Sequence, residues 1–186
     1  MTNASAFDRA KLSELVVYIA NKLADDTSLG AVKLNKILWY CDIQAFVLYG
    51  KAITNATYVR KPLGPVAREL MPVENALVTD ESIVVVRQPS AAGTFQRRPI
   101  AQREAVLDGF EPREIALIDS NIEGFRNATG TLLSRLAHTH ACWYLAKPDQ
   151  EIPYYAGFLT DGLATEADIA RGLELAREYG WFTPAA

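Results

Sequence analysis

Three of the chain's four histidine and cysteine side chains fall within five positions, His138, His140 and Cys142, and the fourth, Cys41, lies far upstream. Those residue types could bind a metal, or could pair a Cys41 nucleophile with a histidine base. On a continuous helix His138 and Cys142 share a face while His140 points away, so three ligands converge only if the helix breaks. Cys41 falls on an apolar stripe with Leu34, Ile37, Leu38, Ala45 and Leu48, where a thiol stays protonated and inert. The expectation is therefore no metal, no cofactor and no catalytic residue. His138 should be partly buried, its ring bonded to backbone, and His140 exposed. The chain also lacks a G-x-x-x-x-G-K-[ST] phosphate loop, a G-x-G-x-x-G turn and a G-x-S-x-G elbow.

Charge offers two further leads. Asp42 stands inside the apolar run that carries Cys41. A carboxylate buried there without partners would cost several kcal/mol, so it should accept hydrogen bonds or pair with a base from Tyr58 to Lys61 or with Arg68. The second lead is an uneven charge distribution. Residues 51–103 carry eight basic and four acidic side chains, whereas residues 104–186 carry six and thirteen. Arg60, Lys61, Arg68, Arg87, Arg97, Arg98 and Arg103, with Tyr58 and Phe95 among them, could hold single-stranded nucleic acid by stacking and phosphate contacts. A pI near 5.5 argues against that use, and a solvated surface or one facing an acidic partner is the commoner explanation.

The elements that must position these residues follow from composition and periodicity. At 186 residues and 49% hydrophobic content, the chain can build one real core as one domain. No run approaches the roughly 20 apolar residues of a membrane span, and Met1 to Ser5 does not open like a secretory leader; a cytoplasmic protein is expected. Leu12, Leu15, Val16, Ile19 and Leu23 recur at helical spacing. A second helix runs from about Leu29 to Tyr49, with Ser28 as its cap and Gly50 as its stop. It is apolar over most of its circumference, hence central.

Beyond Gly50 the spacing changes. Ala56 to Arg60 reads as a short strand, Gly64-Pro65 as the opening of a helix that Pro72 ends or restarts, and Ser82 to Arg87 with Thr94 to Ile100 as a hairpin whose second arm Pro99 pushes to an edge. Helix returns at Glu111-Pro112, with Ile115, Ile118, Ile122 and Phe125 on one face. Thr131 should cap a short helix through His138, a further segment holds Trp143, and Thr165 with Asp168 opens a last helix stopped by Gly180. The fold class is α+β, mainly helical, with a small antiparallel sheet or hairpin.

Three blocks in order resemble the Panacea (SocA-like) antitoxin domain. They are Lys33 to Asp42, containing K-L-x-K and the aspartate; Tyr49-Gly50-Lys51-Ala52-Ile53-Thr54 followed by Tyr58 and Gly64-Pro65-Val66; and Leu133-Ser134-Arg135-Leu136-Ala137-His138 followed by Trp143, similar to the family's L-S-x-L-T-H and tryptophan. Pro62-Leu63 replaces a bulkier residue before G-P-V, and Ala137 a common threonine. The resemblance implies a domain over residues 1–160, with 161–186 a helical extension packed on it. It implies an antitoxin that binds a toxin encoded by an adjacent gene, often in phage or mobile DNA, and acts in phage defence. The SocA branch implies instead an adaptor to a Clp-type protease, and a nucleic-acid-binding regulator is the remaining alternative. Homo-oligomerisation stays open.

Physical roles divide the named residues. Lys33, Lys36, Asp42, Tyr49, Gly50, Tyr58, Gly64, Pro65, Ser134, His138 and Trp143 are expected to define the fold. Partner binding is expected at the hairpin tip from Pro89 to Gly93, at Arg87, Arg97 and Arg98, and at Trp181 and Phe182, since arginine and aromatic residues commonly anchor interfaces.

Overall fold

A computed structural model describes residues 6–90, 93–159 and residues 170, 171 and 174. Among them are six α-helices and two antiparallel two-stranded sheets, the α+β, mainly helical class read from the sequence. Helix α1 (Arg9–Lys22) begins at Asp8, whose carboxylate accepts from Lys11 N at 2.9 Å. Helix α2 (Ala31–Tyr49) is the axis of the domain, packing against α1 and every later layer, with Leu34, Ile37, Leu38, Trp39, Cys41 and Ala45 buried. Leu48, at the end of the expected stripe, is instead 62% exposed. Gly50 stops α2 in the left-handed conformation at φ 73°, donating to Phe46 O at 2.8 Å.

The start of α2 differs from expectation. Its cap is Gly30, with no side-chain bond, because Ser28 is engaged elsewhere. The Gly64-Pro65 reading is also corrected: these residues begin strand β2 (Gly64–Ala67), which pairs with β1 (Tyr58–Lys61) in a tight hairpin through Pro62 and Leu63. Pro65 fits because β2 is an edge; the other side of β1 is taken by the 149–152 segment, through Arg60 N to Gln150 O (2.9 Å) and Ile152 N to Tyr58 O (2.8 Å). Gly64 has φ +106°, and a Cβ there would lie 2.6 Å from the Lys36 side chain. Glycine is thus required both by conformation and by space.

Helix α3 (Leu70–Thr79) follows, with Pro72 in its first turn, where a missing N–H is harmless. Strands β3 (Ile83–Pro89) and β4 (Phe95–Ala101) form the second hairpin in continuous register from Ile83–Ala101 to Pro89–Phe95. Helix α4 (Pro112–Gly124) carries a full capping box between Glu111 and Glu114, and Glu114 also pairs with Lys11 at 2.6 Å, tying α4 to α1. Helix α5 (Gly130–Thr139) is capped by Thr129, which accepts from Leu132 N, and not by Thr131. The chain breaks at His140, resumes as α6 (Ala141–Leu145) and closes with a 3₁₀ turn (Tyr154–Phe158) against α2. The expected Thr165–Gly180 helix and the packing of 161–186 lie outside the described residues, apart from 170, 171 and 174, which are helical. Among the described residues no helix is long and apolar enough to cross a membrane.

Asp42 is fully buried near the middle of α2 and holds the chain beyond Gly50. Its carboxylate accepts from Thr54 N (2.7 Å), Thr54 Oγ1 (2.5 Å) and Tyr58 OH (3.0 Å). The Tyr154 hydroxyl, donating to Ala56 O, lies 3.4 Å away. The sequence reading placed a partner between Tyr58 and Lys61, and Tyr58 is one; Arg68 is not, being exposed and paired with Glu151. Burial pushes the Asp42 carboxyl up to about 6, against the pull of the Thr54 and Tyr58 donors.

Asp42→Ala strands those donors and is expected to lower unfolding free energy by about 3 kcal/mol. The native state holds the Asp42 proton more tightly than the unfolded chain does. The stabilisation from the protonated group is therefore complete below about pH 4 and disappears as pH rises through about 6, a loss on the order of 3 kcal/mol. Urea unfolding between these pH values should show that decline in the wild type and a reduced one in Asp42→Asn.

Candidate functional site

A groove of about 960 Å³ opens where the first turns of α2 and α5 meet the outer half of the β3–β4 hairpin. Its construction starts from a buried ion pair. Lys33 Nζ donates to Asp26 Oδ2 (2.5 Å) and Ser28 Oγ (2.9 Å). Asp26 also accepts from Ser28 N, the Ser28 hydroxyl and Asn127 N at 2.6–2.8 Å. Burial alone would raise the Asp26 carboxyl, but the Lys33 ammonium and these donors hold it below the usual carboxylate range. The α1–α2 turn is thereby locked to the α4–α5 turn, which explains why Ser28 does not cap α2.

Close approaches set the remaining walls. A Cβ on Gly130 would lie 3.3 Å from Val32, so α5 starts against the first turn of α2. A Cβ on Gly30 would lie 2.3 Å from the Gln96 side chain, so the hairpin reaches over the same turn. Gln88 and Gln96 fix it there by donating to Thr27 O at 2.8 and 3.2 Å. At the far end Ser134 Oγ donates to Leu63 O (3.0 Å), joining α5 to the first hairpin.

The groove has a one-sided charge. Among the described residues its lining includes Arg97, Arg135 and His138 and no aspartate or glutamate. Arg135 is exposed and has no ion-pair partner among the described residues. Arg97 is 3.7 Å from the Glu74 carboxylate, which burial pushes up, and also contacts Met71 Sδ at 3.0 Å. Phe95 is 61% exposed on the rim, with the Arg87 guanidinium stacked 4.3 Å from its ring centre.

The expected fold-defining residues lie mainly behind this surface. Lys33, Lys36, Asp42 and Tyr58 are buried. Lys36 Nζ donates to Pro65 O at 3.0 Å, and burial pushes its pKa down to about 7. Tyr49 is half-buried under the Arg113 guanidinium. Ser134 and His138 reach the groove. The His138 ring stacks on Trp143 at 3.8 Å and bonds to the Pro62 carbonyl; its Nε2 is buried without a partner. Trp143 donates to Lys61 O (3.2 Å) and carries the Arg60 guanidinium on its face.

Of the expected partner-binding residues, Arg97 lines the groove and Arg87 borders it through Phe95. Arg98 is half-buried on the other face of the hairpin, donating to Ala24 O at 2.6 Å, so it tethers the fold and is not the exposed anchor expected. The hairpin tip is described except for residues 91–92, and Trp181 and Phe182 lie outside the described residues. His140 is corrected as well: it is half-buried and shares a 2.8 Å hydrogen bond with Tyr40 OH. Helix does break at His140, yet His138 and His140 turn to different partners. Cys41 is fully buried and burial pushes its thiol up.

Arg135 and the paired helix starts escaped sequence reasoning as a site, and Phe95 entered it only as a stacking surface for nucleic acid. Arg135 fills the unspecified slot of the L-S-x-L pattern, between Ser134 and Leu136, a signal that could have marked it as a surface position.

Of this scaffold, the start of α5 and the β3–β4 hairpin fall within one family domain, and the first turn of α2 precedes it. The chain belongs to that family: the model of the Antitoxin SocA-like, Panacea domain matches residues 34–144. No curated protein and no solved structure matches it. Membership gives the chain an antitoxin role in general terms and implies a toxin as partner.

Lys33→Ala leaves a buried carboxylate unpaired and is expected to cost about 3–5 kcal/mol. Removing both charges in Asp26→Asn/Lys33→Met should cost less, and thermal unfolding of the two variants side by side measures the difference.

Proposed function

We propose that this chain neutralises a cognate toxin, encoded by an adjacent gene, by binding it directly in the cytoplasm, without a chemical step of its own. The family match over residues 34–144 carries the reading. An open cationic groove on a rigid scaffold supports it, because a binding surface needs preformed shape and fixed polar groups more than reactive ones. The inert setting of Cys41 agrees, since a nucleophilic cysteine needs an accessible thiolate.

The nucleic-acid reading loses support from the same structure. Lys61 pairs with Asp149, Arg68 with Glu151 and Arg103 with Glu14, so part of the basic middle is neutralised within the chain. Phosphate binding draws on free cations.

Co-expression with the protein encoded by the neighbouring gene tests the proposal. Growth arrest by the neighbour alone and recovery with this chain, at unchanged toxin half-life, are expected. Persistent arrest overturns the proposal, and recovery accompanied by rapid toxin loss points to proteolytic delivery instead.

A further inference from the structure

We propose that the groove between α2, α5 and the β3–β4 hairpin seats an extended, acidic segment of the toxin, with a carboxylate facing Arg135 and Arg97 and an apolar side chain resting on Phe95. This rests on the direct-binding reading and names the partner chemistry of that site.

Charge complementarity is the first argument. The chain has 22 acidic and 19 basic side chains, yet among the described residues the groove lining contains two arginines, a histidine and no carboxylate. Arg135 reaches the groove with its charge unspent on the fold, since no described carboxylate pairs with it. Arg97 is only loosely engaged by the Glu74 carboxylate, at 3.7 Å. Guanidinium groups bind carboxylates through paired hydrogen bonds, which fixes orientation as well as charge.

The second argument is shape. The groove, about 960 Å³, lies at the upper end of small-ligand sites. It is open, and its lining combines the apolar Phe95 and Val32, the hydroxyls of Thr131 and Ser134 and the guanidinium groups of Arg97 and Arg135. An extended segment can meet all three along its length. The exposed Phe95 ring, held by Arg87, is already ordered before binding, so an apolar side chain gains contact there at little entropic cost. The starts of α2 and α5 add the positive ends of two helix dipoles to the same wall. They reinforce the cationic side chains and would not make a site alone.

The test uses the purified full chain and the toxin encoded by the neighbouring gene, the latter as an inactive variant. Arg135→Glu and Phe95→Ser change exposed side chains, so thermal unfolding should match the wild type. Each is expected to weaken toxin binding at least about tenfold, while Arg9→Glu, at the far end of α1, leaves it unchanged. Overlapping toxin peptides should yield an acidic binder whose affinity falls with added salt. Reversing one of its carboxylates to arginine should restore binding to Arg135→Glu.

Toxin binding by the wild type with both groove variants within about twofold of it overturns the inference and leaves direct neutralisation standing. Groove variants that lose a single-stranded oligonucleotide while keeping the toxin likewise overturn it. Failure of the wild type to bind the toxin at all overturns the direct-binding reading and this inference with it.

Discussion

Burying charge on α2 is the constraint on which the rest of the structure depends. Lys33, Lys36 and Asp42 lie along one helix, all at 1% exposure or less. Hydrophobic burial is non-directional and would let α2 rotate or slide among neighbours of similar shape. A buried charge does not permit that, because an unpartnered one costs several kcal/mol. Each of the three finds its partners in a different distant segment: Lys33 in the turn at Asp26 and Ser28, Lys36 at the Pro65 carbonyl, Asp42 at Thr54 and Tyr58. The register of α2 against two turns and a hairpin is thereby fixed by atoms and not by area.

The groove is a consequence of that assembly. Asp26 is shared between Lys33 and the Asn127 amide, so the turns before α2 and α5 are locked together and the two helices begin side by side. Gly30 and Gly130, where a Cβ would crowd Gln96 and Val32, let the β3–β4 hairpin and α5 close on the first turn of α2. What remains is a depression whose floor is rigid and whose rim consists of surface residues. The rigidity comes from a network with nearly every member satisfied, which is the condition under which buried polar groups specify a structure instead of weakening it.

Much of the fold was legible in the sequence because it is local. Helical periodicity announced α1 and α2, Gly50 announced the end of α2, and Asp42 stood out as a carboxylate in apolar company. The errors fall where two local signals compete. Pro65 suits the first turn of a helix and also an edge strand, and only the pairing of residues 64–67 with β1 in a two-stranded sheet decides for the strand. Thr129 and Thr131 have the same capping chemistry two positions apart, and Ser28 was drawn from its capping role by Lys33 and Asp26. Arg98 and Arg97 are adjacent in sequence, but strand alternation sends one to Ala24 and the other to the groove. The groove itself was not legible, because its walls come from residues around 30, 65, 95 and 130 that only the fold brings together.

The same geometry separates two kinds of charge by the cost of changing them. Lys33, Lys36 and Asp42 are interior, so altering one disturbs partners in another segment and couples through the network. Arg135 and Phe95 are exposed and contribute little to the packing beneath them. A scaffold divided in this way can change the shape and charge of its groove while the buried set continues to specify the fold. Under the proposed binding of a toxin in this groove, partner choice belongs to the rim, where substitution leaves the fold intact. Recognition at the buried charges would instead tie every change of partner to a loss of stability, and Asp26, Lys33 and Asp42 already have their bonds satisfied within the fold.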